Sequence, residues 1–351
     1  MRNGQVPYRD FAVEYPPGAL PAFVVPTYAG QPTVPADYSK WFARLMAVCG
    51  LGCLVAVMLA RAPQHGVAFV AVAPVIVGAL VLDRFDLWPA ALTVSAVAGF
   101  VRGRHLLGWF VLALAVCAKL FALVLLPLAA VWTLRRRSRT ELIHGLLLWL
   151  ATLAAVFVPF ALLAPHGLWE SLWGQISRPI QIESLVASLL IEFAHPVVVE
   201  SHHSLAIVGH GTLAGATAAA ELAAIVALWI AFARGPADEE RFVRFAAACV
   251  CAFVAFGKVL SPQFLIWLVP LVALVRGRRG LAAAGLLAAA AIDTQYWFNA
   301  TRYGLYAGDG RFAWLVLGRD LLLVALVWVL GGPAIGDRLR LRSHRARAAS
   351  G

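Results

Sequence analysis

The sequence predicts an all-α, polytopic integral membrane protein. Of its 351 residues, 62% are hydrophobic and only 13% are charged, and the mean hydropathy is +0.81. A soluble domain carries about 25% charged residues. Apolar runs of about 15–25 residues recur along the chain, which is the pattern of membrane-spanning helices, whereas a membrane β-barrel would alternate apolar and polar residues.

The basic residues support the same class. The formal net charge is +11, but the arginines cluster in short loops and in the C-terminal tail, as the positive-inside rule expects of cytoplasmic segments. This distribution explains the charge without a nucleic-acid partner, and none is predicted. The five cysteines all lie in apolar runs, so the sequence indicates neither a disulfide framework nor a zinc site.

About 11 apolar segments are predicted to be helices that span or re-enter the membrane. Two of the longer apolar stretches are interrupted. Lys119 places a charge in the first, and Ser261-Pro262 interrupts the second, because proline disfavours helix in the residue before it. Placing every basic cluster in the cytoplasm requires the chain to reverse direction at both interruptions. The predicted segments are 42–60, 67–82, 88–101, 106–118, 120–133, 143–164, 209–233, 242–258, 262–275, 280–298 and 312–331.

This topology predicts one membrane domain in the plasma membrane, with the N-terminus outside and the C-terminus in the cytoplasm. A chain that starts outside is difficult to insert without a preceding helix, so we expect an upstream helix to be missing and Met1 to be a misassigned start. The predicted parts are a first extracytoplasmic loop (1–40), a first helix set (41–164), an extracytoplasmic amphipathic loop (165–208), a second helix set (209–331) and a basic cytoplasmic tail (332–351).

The loop 165–208 has an amphipathic pattern. Leu185, Leu189 and Phe193 recur at helical spacing and alternate with polar residues. This pattern is typical of one or two helices that lie in the membrane surface. Trp169 and Trp173 precede them and suit the depth of the lipid headgroups.

The same topology gathers polar side chains at the outer membrane surface. Ionisable residues at membrane depth are costly, which makes them functional candidates. Basic side chains hold phosphates by charge-assisted hydrogen bonds, and a carboxylate can take a proton from an attacking hydroxyl. The set therefore predicts chemistry on a lipid-linked phosphate. Arg319 and its neighbour Asp320 lie about two turns into the last predicted span, below this set. Its members are Asp10, Glu14, Asp83, Asp86, Lys119, Arg178, Gln181, Glu183, Lys258, Gln263 and Asp293.

Structural explanations exist for the same residues. A pair of acids in a loop, such as Asp10 and Glu14, is often merely solvated. Lysines such as Lys119 and Lys258 can anchor helix ends at the membrane surface.

Other polar residues also have a structural explanation. Arg178 and Glu183 can form the polar face of an amphipathic helix, and the adjacent residues 83–84 and 319–320 can neutralise each other. No metal site is predicted from the four histidines of one loop, because they lack ordered helical spacing; they are His195, His202, His203 and His210.

The stretch VPYRDFAVEYPPGALP, residues 6–21, resembles the first extracytoplasmic loop of the GT-C superfamily of membrane glycosyltransferases. The resemblance is strongest to glycosyltransferase family 87, the polyprenyl-phosphate-mannose-dependent mannosyltransferases of actinobacteria. GRDLLLV at 318–324 is also similar, with Asp320 where the family has Asn, and the family's transmembrane helix before the first loop is lacking here. Further stretches follow in family order: DRFDLWPAAL (83–92), AKLFALVLLP (118–127), SRPIQIESLVASLL (177–190) and GKVLSPQFLIWLVPL (257–271).

The resemblance implies a GT-C fold with its active site on the extracytoplasmic face. It implies an inverting transfer of a sugar, most simply mannose, from a polyprenyl phosphate to a hydroxyl of a glycolipid or cell-envelope glycan, and it implies that Asp10 is the catalytic base. Neither a metal nor another cofactor is expected. From convergence and resemblance together, the predicted substrate-binding residues are Glu14, Asp86, Lys119, Arg178, Gln181, Glu183, Lys258, Gln263 and Arg319.

Two other functions stay open at this point. A transporter or lipid flippase would place ionisable residues near the middle of the membrane, whereas here they are crowded at one surface, which favours an enzyme. A non-catalytic protein of envelope assembly is a further alternative. Within the enzyme class, the sugar can also be arabinose, galactose or glucose.

Overall fold

The predicted all-α, polytopic membrane fold is confirmed. The computed structural model describes residues 4–29, 34–201, 204–300 and 310–333, and helices dominate all four ranges. In chain order they are α1 (Leu20–Ala29), α2 (Pro35–Leu59), α3 (Gln64–Val77), α4 (Leu80–Asp83), α5 (Leu87–Val101), α6 (His105–Ala118), α7 (Leu126–Arg136), α8 (Arg139–Leu163), α9 (Pro165–Ser177), α10 (Leu185–Ala194), α11 (Gly211–Arg234), α12 (Glu239–Phe256), α13 (Leu265–Ala273), α14 (Gly277–Ala300) and α15 (Gly310–Gly331).

Four of these helices are long and apolar enough to cross a membrane: α2, α8, α11 and, over Phe312–Gly331, α15. With 25 residues, α8 is about 37 Å long at 1.5 Å per residue. Every predicted apolar segment coincides with one of the helices or with a pair of short ones. Several of these, including α3, α5 and α6, have 14 or 15 residues and are shorter than a perpendicular span requires.

The two predicted interruptions are breaks in the backbone. Helix α6 ends at Ala118, Lys119 is extended (φ −161°), and a 3-10 helix over Leu120–Leu125 leads into α7. After α12 the chain is extended at Ser261, and a 3-10 turn over Pro262–Phe264 precedes α13. Irregular backbone at membrane depth is tolerated where protein covers it, and both breaks pack in the interior of the bundle.

The centre of the molecule is formed by α12 and α13. Most residues of α12 and all residues of α13 are buried. Helices α3, α5, α11, α14 and α15 pack around these two. At the break between them, the indole of Trp267 is stacked between Phe121 and Phe264, with ring centroids 4.0 and 4.1 Å apart. Through Trp267, the buried core is in contact with both backbone breaks.

The region 165–208 contains helices and a small sheet. Helices α9 and α10 lie in the segment predicted to be amphipathic. Of α10, the buried face is Ala187, Ser188 and Ile191, while Leu189 and Phe193 are exposed. Three short antiparallel strands, not predicted from the sequence, follow the order β1-β3-β2; they are β1 (Ile180–Gln181), β2 (Val198–Ser201) and β3 (Ser204–Ile207), with Ala206 opposite both Gln181 and Val199.

Candidate active site

The first loop is a fixed turn that presents Asp10. The backbone N–H of Tyr8 donates to the carbonyl of Phe11 (3.0 Å), and Tyr8 has a left-handed conformation with φ +66°. Its buried hydroxyl donates to the carbonyl of Tyr15 (2.6 Å). Because Gly167 of α9 has no Cβ, the Tyr8 carbonyl lies directly against that helix.

Asp10 is held at the surface of this turn as a carboxylate. Arg9 donates from Nε to Oδ1 (2.9 Å) and from Nη2 to Oδ2 (3.0 Å), and the Val6 amide also donates to Oδ2 (2.7 Å). The hydrogen bond from Arg9, followed by that from Val6, lowers the pKa of Asp10 to about 2. The side chain is therefore ionised at physiological pH and is available as a proton acceptor.

A cavity of about 750 Å³ lies between the first loop and α9. It brings Asp10, Glu14 and Arg178 together, although Glu14 and Arg178 are 164 residues apart in the chain. Arg178 forms an ion pair with the Glu14 carboxylate, and Gln175 Nε2 donates to the Glu14 carbonyl (2.7 Å). These contacts join the first loop to the end of α9.

Asp86 and Lys119 form a buried ion pair that contacts the first loop through the ring of Tyr15. Lys119 Nζ lies 2.7 Å from Asp86 Oδ1, and Trp267 Nε1 donates to the same oxygen (2.7 Å). Four aromatic rings surround the ammonium group at 4.7–5.4 Å from its nitrogen, namely those of Tyr15, Phe85, Phe264 and Trp267. The charge of Lys119 is thus matched by Asp86, and its role as a ligand of the donor phosphate stays a prediction.

Gln181 connects the small sheet to the α12–α13 break. Its side-chain amide donates to Ser261 Oγ (2.8 Å) and to Glu183 Oε2 (3.2 Å). Its backbone amide donates to the carbonyl of Lys258 (2.9 Å), and Lys258 Nζ donates to the carbonyl of Ile176 (2.9 Å). The predicted sugar ligands Gln181 and Glu183 are therefore in contact, and Lys258 lies beside them.

Arg319 lies about two turns into the last apolar helix, as predicted, but its side chain is enclosed by protein. It is fully buried, donates from Nη2 to the carbonyl of Glu183, and has its Nε 2.7 Å from Asp320 Oδ1. Direct contact between Arg319 and a donor phosphate would require the surrounding side chains to move, so its site role stays a prediction. Gln263 lies half-buried in the 3-10 turn Pro262–Phe264, and its role as a sugar ligand is likewise a prediction.

Most of the predicted set forms one connected network. Tyr15 links the Glu14 segment to Lys119, Ile176 links the α9 end to Lys258, and Ser261 links the α12–α13 break to Gln181. Residues that are far apart in sequence thus meet at one end of the helix bundle. Loop 165–208 and the two backbone breaks are the elements that bring them there.

Two ionisable residues were missed as site candidates. Arg84 is exposed between α4 and α5, and within the residues that the structure describes no ion pair joins it to Asp83, unlike Arg319 and Asp320. Glu221 lies in α11, where its charge interacts with that of Lys258. Glu221 is the only acid in the predicted span 209–233, a sequence signal that points to a functional residue.

The described part of the chain contains no group of three or more His, Cys, Asp or Glu side chains placed to bind a metal. His202 and His203 of the predicted histidine loop lie outside the described residues. The expectation that transfer needs no metal stays a prediction.

Comparison with solved structures finds similarity to the crystal structure of ArnT from Cupriavidus metallidurans bound to undecaprenyl phosphate. The two proteins share 17% sequence identity, the alignment covers 91% of this chain and 67% of the ArnT chain, and the TM-score is 0.47. No family model matches the chain, and no curated protein matches it. A TM-score below 0.5 does not establish a shared fold, so the function is argued from this chain's own residues.

Proposed function

We propose that the protein is a membrane glycosyltransferase of the GT-C type. It would transfer a sugar, which we propose to be mannose, from a polyprenyl phosphate to a hydroxyl of a glycolipid or cell-envelope glycan. The observation that carries the proposal is the cavity lined by Asp10, an ionised carboxylate, and by the Glu14–Arg178 pair. The Asp86–Lys119 pair lies against Tyr15, the residue that follows Glu14. We place the cavity on the extracytoplasmic face and the C-terminus in the cytoplasm.

Asp10 is the proposed catalytic base. Oδ1 accepts one hydrogen bond and Oδ2 accepts two, so Oδ1 keeps more lone-pair capacity. In the proposed step, Oδ1 of Asp10 takes the proton of the acceptor hydroxyl, and the hydroxyl oxygen attacks the anomeric carbon of the sugar. The bond from that carbon to the phosphate oxygen breaks on the opposite side, which inverts the configuration and releases polyprenyl phosphate.

The remaining residues are proposed to bind the donor. A leaving phosphate gains negative charge as its bond breaks, and fixed cations stabilise this charge. Sugar hydroxyls suit carboxylate and amide groups that are already held in place. The proposed phosphate ligands are Lys119, Arg178, Lys258 and Arg319, and the proposed sugar ligands are Glu14, Asp86, Gln181, Glu183 and Gln263.

The test is Asp10→Asn, which removes the base and keeps the shape of the side chain. We expect transfer of labelled mannose from polyprenyl phosphate in isolated membranes to fall by about 10²–10⁴-fold. Asp37→Asn, in the first turn of α2, is the matched control and should transfer normally. Transfer at the wild-type rate by Asp10→Asn would exclude Asp10 as the base.

Transport is the second candidate, because ionisable residues also lie inside helices. Asp293 lies in α14, and Arg319 and Asp320 are fully buried in α15. The same variants separate the two functions in liposomes that contain polyprenyl phosphate but no acceptor. Movement of the lipid between leaflets that survives Asp10→Asn and stops in Asp320→Asn would favour transport.

A further inference from the structure

An apolar groove runs between α2, α3 and α13. Its volume is about 560 Å³, within the range of about 300–1,000 Å³ that is usual for ligand sites. Its walls include Leu51 and Leu54 of α2, Val70 of α3 and Ile266 of α13. The side chain of Leu51 is 63% exposed, so the groove is open on the outer surface of the bundle, where the membrane would be.

One end of the groove belongs to the polar site. Val81, Leu82 and Leu87 line the groove. Arg84 lies between Leu82 and Leu87 in the chain, in the short connection from α4 to α5. At the same end, Ile266 is followed by Trp267, whose indole donates to Asp86. The segment 81–87 is therefore shared between an apolar groove and a cluster of charged groups.

The charges at this end are unevenly matched. Lys119 faces Asp86, Arg178 faces Glu14, Arg9 faces Asp10 and Arg319 faces Asp320, so four cations near the site each have a carboxylate. Arg84 has neither an ion pair nor a hydrogen bond within the residues that the structure describes, and its backbone is extended (φ −120°, ψ 146°). Its positive charge acts on Tyr15 of the first loop, whose ring centroid also lies 5.4 Å from Lys119 Nζ.

We propose that Arg84 binds the phosphate of a single-chain lipid phosphate whose hydrocarbon chain lies in this groove. A guanidinium group matches two phosphate oxygens at once, and the groove offers only apolar walls to the chain. The proposal rests on the proposed function in one respect, namely that this lipid is the carrier of the transferred sugar. Arg84 would then bind the phosphate of that carrier together with the phosphate ligands proposed above, most of which are already paired with carboxylates.

The experiment measures binding without transfer. The full chain, in nanodiscs of phosphatidylcholine, is titrated with farnesyl phosphate, farnesol and inorganic phosphate, and binding is followed by native mass spectrometry. We expect saturable binding of farnesyl phosphate. Farnesol, which lacks the phosphate charge, and inorganic phosphate, which lacks the hydrocarbon chain, should both bind much more weakly. Arg84→Gln should weaken farnesyl phosphate binding by about tenfold or more, because a hydrogen bond to a charged group is lost, and Arg84→Lys should restore part of it.

Two matched controls come from the same elements. Arg102 caps the other end of α5 and is exposed, so Arg102→Gln should bind normally. Ala71 lines the groove, whereas Val75 of the same helix is 83% exposed and lies outside the groove. Ala71→Trp should therefore abolish binding, and Val75→Trp should not.

Several results would overturn the proposal. These are wild-type affinity in Arg84→Gln, binding of inorganic phosphate as tight as that of farnesyl phosphate, or no saturable binding because bilayer lipid fills the groove. Binding as expected without sugar transfer would leave the lipid site standing and refute the proposed function. Unchanged binding in Arg84→Gln, together with loss of transfer in Asp10→Asn, would refute the lipid site at Arg84 and support the proposed function.

Discussion

At the scale of single residues, the pair formed by Lys119 and Asp86 shows how this protein keeps charge in its interior. Their side chains are only 12% and 2% exposed, and Trp267 shares the same carboxylate oxygen. The aromatic rings around the ammonium group add cation–π attraction. Removing one partner of a buried ion pair leaves an uncompensated charge, whereas removing both can be nearly neutral.

This contrast gives a test on stability. Asp86→Leu should lower the free energy of unfolding by about 3–5 kcal/mol, because it leaves the Lys119 charge buried without a partner. The double variant Asp86→Leu with Lys119→Met should recover most of that loss. Unfolding in mixed detergent micelles, followed by far-UV circular dichroism, measures both. A double variant as unstable as the single one would show that the pair's attraction is not what stabilises this region.

The sequence predicted residue identities better than residue partners. The basic loops alone placed the first loop and the segment around Arg178 on the same side, and Glu14 does contact Arg178. It predicted the pairing of the neighbours Arg319 and Asp320. It did not predict that Lys119 would be matched with Asp86 or Arg178 with Glu14, because these partners depend on packing between segments far apart in the chain. The sequence also allowed Asp83 and Arg84 to neutralise each other, but no ion pair joins them within the residues that the structure describes, and the backbone at Arg84 is extended.

At the scale of elements, the contact between the first loop and α9 positions Asp10. The Tyr8 carbonyl lies against Gly167, and a Cβ on that glycine would overlap this oxygen and its carbonyl carbon. Backbone atoms of a hydrogen-bonded turn move less easily than the end of a side chain. A single methyl group at this position should therefore displace the loop that carries the proposed base.

Gly167→Ala and Gly174→Ala form a matched pair in the same helix. Both glycines line the cavity, but a Cβ on Gly174 meets no atom within 4 Å. We expect Gly167→Ala to reduce sugar transfer by at least about tenfold, since small misplacements of a catalytic group are costly, and Gly174→Ala to leave it unchanged. Rates in membranes, normalised to the amount of folded protein, check this. Equal rates for the two variants would contradict a positioning role of the contact.

The elements themselves were largely predictable, and the exceptions have a physical cause. Apolar runs gave the helices, and a lysine and a proline gave the two breaks. The sheet could not be read from sequence, because strands of two to four residues are too short for a period-2 pattern. The buried face of α10 includes Ser188, which hydrogen-bonds the carbonyl of Leu185 within its own helix and so needs no solvent.

At the scale of the whole molecule, α8 separates two regions. The cavity near its C-terminal end is lined by both the first loop and α9, so these two parts must lie on one side of the membrane. The start of α8 lies about 37 Å away along the helix axis. The native cysteines described by the structure are all buried, which gives a low background for chemical labelling.

Labelling with a membrane-impermeant maleimide tests this arrangement. Phe11→Cys and Trp173→Cys place a thiol at exposed positions of the first loop and α9, and Thr140→Cys places one at the exposed start of α8. The first two should react from the same side of sealed vesicles and the third only from the opposite side. Reaction of positions 140 and 173 from one side would show that α8 does not cross the membrane.

Hydropathy could not distinguish helices buried in the protein from helices on its outer surface. Helices α8 and α13 are both strongly apolar, yet α8 faces outward over most of its length while α13 is completely buried. Lipid and protein interior are equally apolar surroundings, so composition does not distinguish them. What separates them is contact with other helices, which only the folded chain reveals.

The contact between Glu14 and Arg178 has a consequence for the order in which the protein is made. The two residues are 164 positions apart, and a ribosome adds about 5–20 residues per second. The first loop therefore emerges roughly 8–30 seconds before its partner segment exists. During that interval its carboxylates have only local contacts such as that of Arg9 with Asp10. A nascent chain arrested before α8 also lacks the contacts of Tyr8 with Phe160 and Gly167, and its first loop should be cleaved readily by proteases.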